Sequence, residues 1–238
     1  MTVVACHQPN FIPWLGFFAK MAFVDTFILL DDVQPPNGNS RHNFVNRVQI
    51  ADRNGPFWIT VPVSSSHRNT ISEVTVRQEA FEVWKRRTAR AFEQTYARSA
   101  YIDAYFPHLI DILEAPVLHL AELNCRVIDW LRGLLGIGTE LLFSSQLGVS
   151  STSSTRLADL TNVVGGSAYV SGSGSFAYLE LEPFQRQNLA VRYHSFTAQE
   201  YEQRNTRFFH SGLSTLDAIF NIGPEQTRQI LIEGSREK

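Results

Sequence analysis

The chain alternates short apolar runs with stretches of helical period. Thr2 to His7 is apolar, rich in β-branched residues and stopped by Pro9 after Gln8, which predicts a buried strand. Beyond a turn over Pro9 to Trp14, Gly16 to Val24 has the aliphatic and aromatic content of a short buried helix. Thr26 to Leu30 predicts a second buried strand, which ends in Asp31, Asp32, Val33 and Gln34. Two apolar strands joined by one short helix make a βαβ unit with parallel strands. Its crossover should be right-handed.

From Gln34 to Pro56 the chain is polar and rich in Asn, Arg and Pro. That is long for an idle connection and reads as a functional loop. A third strand is expected over Trp58 to Val63. From about Glu79 to Gly136 the pattern turns helical. Val117, Leu120, Leu123, Val127, Leu131 and Leu134 recur at three-and-four spacing, and Gly136 can close the helix in the left-handed region. Further strands are expected at Glu140 to Phe143, Ala168 to Val170 and Leu189 to Phe196. A Ser/Thr-rich turn from Ser150 to Thr155 should cap a helix carrying Leu157, Leu160 and Val164. From Leu213 onward the pattern is again helical. The expected class is α/β: a Rossmann-like, mostly parallel sheet in one domain over 1–238, with a helical insert at about 78–136.

In an open parallel sheet, ligands bind at the carboxyl ends of the strands. The first strand delivers His7 and Gln8 to that edge, the second Asp31, Asp32 and Gln34, and a later one Ser171, Gly172, Ser173, Gly174 and Ser175. His7 can work as an acid, a base or an anion contact; the plainer reading is a core histidine bonded to a carbonyl. Asp31 or Asp32 can orient an amine. Neighbours on an extended strand face opposite ways, so one strand should not aim both at one spot. The Ser171–Gly174 amides offer an anion cradle, although the run lacks the spaced glycines of a nucleotide fingerprint and no lysine-bearing phosphate loop is present. Cys6, beside His7, should point into packing rather than act as a nucleophile.

Composition narrows the classes. The 238 residues are 44% hydrophobic and 18% charged, enough for a full core and unlike a disordered chain. A net charge of -2 argues against nucleic acid as partner. The basic run Lys85, Arg86, Arg87 and Arg90 reads as a solvated helix face. Two cysteines, Cys6 and Cys125, are too few for a disulfide framework and are expected reduced and buried. The start lacks a signal-peptide pattern and no run is apolar enough to span a bilayer, so a cytoplasmic location without membrane insertion is expected. No zinc-ligand spacing or nucleophile elbow is found, so no metal is expected. No cofactor can be named.

Several segments in order, HQPNFIPWLGFFAKMAFVDTFILLDDVQ, NFVNRVQI, GPFWITVPV, YVSGSGSFAYL and LSTLDAIFNIGPE, make the chain resemble the WbqC-like protein family over nearly its whole length. The resemblance implies functional weight at His7, Gln8, Pro9, Pro13, Trp14, Gly16, Asp31, Asp32, Gln34, Asn46, Arg47, Ser171, Gly172, Tyr178, Asp217 and Asn221. It also implies a histidine four residues after Trp84, where this chain has Thr88. Members occur in bacterial O-antigen gene clusters, and the resemblance implies transfer of glycine or a related acyl group to a sugar amine.

The leading expectation is a transferase joining an amine to an activated acyl, aminoacyl or sugar partner in surface-polysaccharide or specialised-metabolite biosynthesis. His7, Asp31 and Asp32 are the expected catalytic residues. Gln8, Asn10, Trp14, Gln34, Asn46, Arg47, Ser171, Gly172, Ser173, Gly174 and Tyr178 are expected to bind a small substrate bearing an amine, an anionic group or both. Arg47 would hold the acidic group, since its planar fork pairs bidentately with carboxylate or phosphate. A homodimer is one assembly open to it. Two other classes stay open: a non-catalytic module binding a small anion or a partner, and a nucleotidylyltransferase-like enzyme.

Overall fold

The computed structural model describes residues 1–36, 43–64, 69–172, 174 and 178–237. Along the chain run β1 (Val3–His7), α1 (Leu15–Ala22) and β2 (Thr26–Leu29). A hairpin follows, β3 (Arg47–Asp52) and β4 (Gly55–Thr60), then the short strands β5 (Val63–Ser64) and β6 (Thr75–Val76). Three helices come next: α2 (Gln78–Tyr96), α3 (Ile102–Glu114) and α4 (Leu120–Leu134). The second half contributes β7 (Glu140–Phe143), α5 (Ser153–Val163), β8 (Ala168–Gly172), α6 (Glu182–Arg186), β9 (Ala190–Phe196), α7 (Thr215–Gly234) and β10 (Ser235–Glu237).

The central sheet has six strands in the order β10-β9-β8-β1-β2-β7. Its pairings are parallel except β9 with β10, so the mostly parallel α/β class read from sequence holds. β1 and β2 lack a polar face because both sides of the sheet are covered. Ala5, Phe27 and Leu29 enter a large core shared with α1, α7 and the helices of the 78–136 segment. Val4, Cys6 and Ile28 enter a smaller one with Ala158, Leu160 and Phe184 from α5 and α6. The three helices occupy the segment expected to be helical, and Gly136 closes it with φ +61°.

Four expectations need correction. The stretch taken as a long loop contains β3, whose Val48 and Ile50 are buried while Arg47 and Gln49 are not fully so. The third strand ends at Thr60 and pairs antiparallel with β3 in a separate hairpin, leaving Val61 and Pro62 outside it. Lys85 does not join the solvated basic face; it is 7% exposed and meets Glu82 at 2.9 Å and Glu114 at 3.1 Å. Cys125 is only partly buried, and both cysteines are free thiols. No helix among the described residues is long and apolar enough to cross a membrane.

A buried polar clamp ties the C-terminal helix to the preceding loop. Asp217, in the first turn of α7, is fully buried. It accepts hydrogen bonds from Tyr201 Oη at 2.7 Å, Gln203 Nε2 at 2.9 Å and Asn205 Nδ2 at 3.4 Å. Burial pushes its pKa up. Asn221, one turn on, donates to Asn205 Oδ1 and accepts from Ser99 Oγ. The residues that the resemblance singles out at 217 and 221 thus have buried hydrogen-bond partners, as buried polar groups must.

Candidate active site

β1 and β8 are neighbours whose onward connections leave to opposite sides, β1 toward β2 and β8 toward β9. Such a switch point opens a crevice at the carboxyl edge of a parallel sheet. A cavity of about 830 Å³ lies there, bordered by His7 and Gln8 from the end of β1 and by Ser171, Gly172 and Gly174 from the end of β8. Asn10, Trp14 and Phe44 wall one part of it, and Tyr178, 73% exposed, stands on its lining as well.

The turn from Pro9 to Trp14 is held from below. Asn124 of α4 donates to Pro9 O at 2.8 Å and to Val45 O at 2.7 Å, while Thr215 N donates to Pro13 O at 2.9 Å. Inside the turn Ile12 is fully buried with φ +41°, a costly conformation for a β-branched residue that persists only where packing dictates it. The indole of Trp14 folds over Gly16, where an added Cβ would lie 2.1 Å from the ring. Only glycine lets the ring rest there.

His7 is partly buried, its Nδ1 lies 2.9 Å from Gln8 O, and its ring packs edge-on to Phe17 at 5.0 Å. A carbonyl can only accept, so Nδ1 carries the proton and Nε2 presents a lone pair. Burial, and then the charge of Lys20, lower its pKa to about 3. His7 is therefore a neutral acceptor at physiological pH.

Lys20 supplies the opposite polarity. It projects from α1, is 8% exposed, and donates from Nζ to Cys6 O at 2.9 Å. Its ammonium lies 5.6 Å from the Phe27 ring centroid, and no carboxylate pairs with it among the described residues. Burial lowers its pKa to about 8. A buried cation without a counter-ion is costly unless something uses it. Cys6 also borders the cavity, but burial raises its thiol to about 12, leaving no thiolate at neutral pH.

The second cation is Arg156, in the first turn of α5. Its Nη2 meets Asp32 Oδ2 at 2.5 Å and its Nη1 donates to Val149 O at 2.6 Å, while Nε has no partner among the described residues. Ser153, Ser154 and Leu157 of the same helix line the cavity, so the positive end of α5 faces it too.

The aspartates are not on the lining. Asp31 accepts from Ser144 Oγ at 3.2 Å, Ser145 N at 3.0 Å and Ser145 Oγ at 2.7 Å. Asp32 is bonded by Ser144 Oγ as well. Both lie beyond the end of β2, so strand alternation does not separate them, and the expectation that they face apart is corrected. Gln34 takes Gln8 Nε2 on its carbonyl at 3.2 Å. Asn46 bonds Asn43 and Val61 O, and the Arg47 guanidinium lies over Trp58 at 4.2 Å with its Nε on Asn43 O. Asn46 and Arg47 brace the hairpin and do not border the cavity; Arg156 stands where Arg47 was expected. Thr88 is buried in α2, also off the lining. Ser173 lies outside the described residues. Among the described residues no cluster of His, Cys, Asp or Glu is placed to hold a metal ion.

Sequence reasoning thus named His7, Gln8, Asn10, Trp14, Ser171, Gly172, Gly174 and Tyr178, all on the lining, and missed Lys20 and Arg156. The signal for Lys20 was present: a lone lysine inside an otherwise apolar helical run.

The WbqC-like protein family model matches residues 8–229. The chain is 31% identical over 228 residues to the uncharacterized protein Rv1507c of Mycobacterium tuberculosis, covering 94% of this chain and 96% of that one. The chain belongs to the WbqC-like protein family.

Proposed function

We propose that the chain is a group transferase that joins an amine to an activated acyl, aminoacyl or sugar partner, in surface-polysaccharide or specialised-metabolite biosynthesis. The observation that carries this is the pairing of a neutral His7 lone pair with an uncompensated Lys20 ammonium at the switch-point cavity. One group accepts a nucleophile's N–H, and the other stabilises negative charge.

With an acyl donor, the amine nitrogen attacks the carbonyl carbon while its N–H points to His7 Nε2. Charge growing on the carbonyl oxygen is held by Lys20, which acts strongly in a site screened from water. The new C–N bond forms as the bond to the leaving group breaks. The proton from nitrogen passes through His7 to that leaving group. A resting pKa of about 3 makes His7 a relay within turnover rather than a proton store. A substrate anion beside Lys20 offsets the lysine's charge and makes the imidazole more basic. Arg156 and the first turn of α5 suit a phosphate or carboxylate on the donor. Trp14, Phe44 and Tyr178 offer flat surfaces for a ring. Asp32 orients Arg156 and so acts at one remove. Two free thiols fit work in a reducing compartment, with the whole chain acting as one unit.

The test is a screen of acyl thioesters, acyl phosphates, aminoacyl donors and nucleotide sugars against mixed amines, with products read by mass spectrometry. An amide or glycosylamine product should form and fall at least about 100-fold in His7→Gln, the usual worth of a positioned proton carrier, with the circular dichroism spectrum unchanged. Magnesium-dependent pyrophosphate release would instead identify a nucleotidylyltransferase. Saturable binding with no product from any donor would identify a binding module.

A further inference from the structure

Behind the main cavity lies a second, smaller chamber of about 150 Å³. It shares His7, Trp14, Lys20, Gly172 and Gly174 with the cavity, and Gly16, Phe17, His194 and Phe196 complete its lining. His7 and Lys20 therefore stand on the boundary between two spaces. At about 30 Å³ per water molecule, the chamber has room for about five non-hydrogen atoms.

Its polar groups define what it can hold. His194 is 3% exposed, and its Nε2 lies 3.1 Å from Ser235 Oγ. The Ser235 hydroxyl already donates to Leu231 O at 2.7 Å, so it accepts from His194 and Nε2 carries the imidazole proton. His194 Nδ1 is thus a lone pair, with no hydrogen-bond partner among the described residues. Burial, with help from Lys20, lowers the His194 pKa to about 4. The chamber accordingly presents two neutral imidazole acceptors and one ammonium. Its other walls are the aromatic rings of Trp14, Phe17 and Phe196 and three glycines.

From this geometry we infer that the side chamber is the acceptor subsite, and that it takes a small primary amine in its uncharged form. Two imidazole lone pairs match two N–H donors. An ammonium ion finds the Lys20 charge and no carboxylate among the lining residues, so the protonated amine is disfavoured. A compact anion would meet one cation but also two outward lone pairs, which repel it. The form selected is the nucleophilic one. An amine seated there lies against His7 and faces the main cavity, where an activated donor would present its carbon. The inference rests on the group-transfer reading for its consequence, but the binding preference stands without it.

The experiment uses the full-length protein and hydroxylamine, which is uncharged at pH 7.5, with methylamine (a cation at that pH) and acetate as comparison probes. Ring nitrogen NMR signals of His7 and His194 report the chamber. Hydroxylamine should shift both in a saturable manner, while methylammonium and acetate at equal concentration leave His194, which borders the side chamber and not the main cavity, unchanged. Gly172→Val supplies the control. Gly172 pairs with His194 across β8 and β9, and a Cβ built there meets nothing within 4 Å, so the added side chain has space beside that imidazole. It should weaken the hydroxylamine response at least tenfold without unfolding the protein. A shift of His194 with acetate would make the chamber an anion site, and an equal response of His194 to methylammonium would remove the selection for the uncharged form. No response to any probe would leave it a packing void. Each of those results overturns the inference while leaving the donor screen above to decide the transferase reading separately.

Discussion

Lys20→Met should raise the melting temperature at pH 7 and abolish turnover in the same protein. The lysine is 8% exposed, and burial moves its pKa from 10.5 to about 8, a penalty on the charged form of about 3 kcal/mol by the usual conversion. Methionine has similar length and no charge. It gives up the hydrogen bond to Cys6 O, leaving a buried carbonyl short of one partner at a cost of about 1 to 2 kcal/mol. The net gain of about 1 to 2 kcal/mol corresponds to about 3 to 6 °C for a chain of this size. The sign follows from proton uptake. Because the folded pKa lies below the unfolded one, the penalty is complete below pH 8 and fades as the pH rises toward 10.5, where both states have lost the proton. The advantage of Lys20→Met should shrink over that window. A gain in stability with a loss of function is the signature of a residue kept for its chemistry. If the variant instead melted several degrees lower and still turned over, Lys20 would be a structural donor to Cys6 and no more.

Asp217→Ala should do the reverse, lowering stability strongly while sparing the chemistry. Removing the carboxylate leaves the Tyr201 hydroxyl without its acceptor and takes one acceptor from Gln203 Nε2 and Asn205 Nδ2, which keep His210 O and Ala51 O, at a fully buried site. An unsatisfied buried donor costs about 1 to 3 kcal/mol, and relaxation of the loop recovers part of the total, so a loss of about 3 kcal/mol is expected. That is a fall of about 6 to 12 °C by thermal melting. Asp217→Asn keeps one acceptor oxygen and should recover part of the loss. Turnover measured well below the transition should stay within a few fold of the parent, since Asp217 borders neither chamber. An unchanged melting temperature for Asp217→Ala would mean that the clamp is not a stabilising element.

The two predictions separate two kinds of legibility. The parallel sheet could be read because β1 and β2 are apolar on both faces, and the strand-end rule then brought His7 to the same cavity as Gly172. The hairpin was hidden because the stretch from Gln34 to Pro56 that contains its first strand is polar and rich in Asn, Arg and Pro, although Arg47, Val48, Gln49 and Ile50 already alternate. Asp31 and Asp32 looked catalytic because carboxylates at a strand end usually are. Their partners, Ser144, Ser145 and Arg156, come from a segment more than a hundred residues away that local spacing cannot supply. Lys20 was overlooked for the opposite reason. Its helix reads as core, and only the three-dimensional packing shows an amine beside an imidazole with no acid to balance it among the described residues. Similar distance hid the side chamber, since His194 meets the β1 edge only through the β8–β9 pairing.

The most direct measurement is the titration of the Lys20 side chain, followed through its ε-carbon in a selectively labelled, full-length protein by NMR. A midpoint near pH 8 is expected, with the neighbouring His7 ring staying neutral and protonated at Nδ1 across pH 5 to 8. A midpoint close to the ordinary 10.5, or a His7 that gains a proton near pH 6.5, would show an open, hydrated pair and contradict the proposed reaction centre.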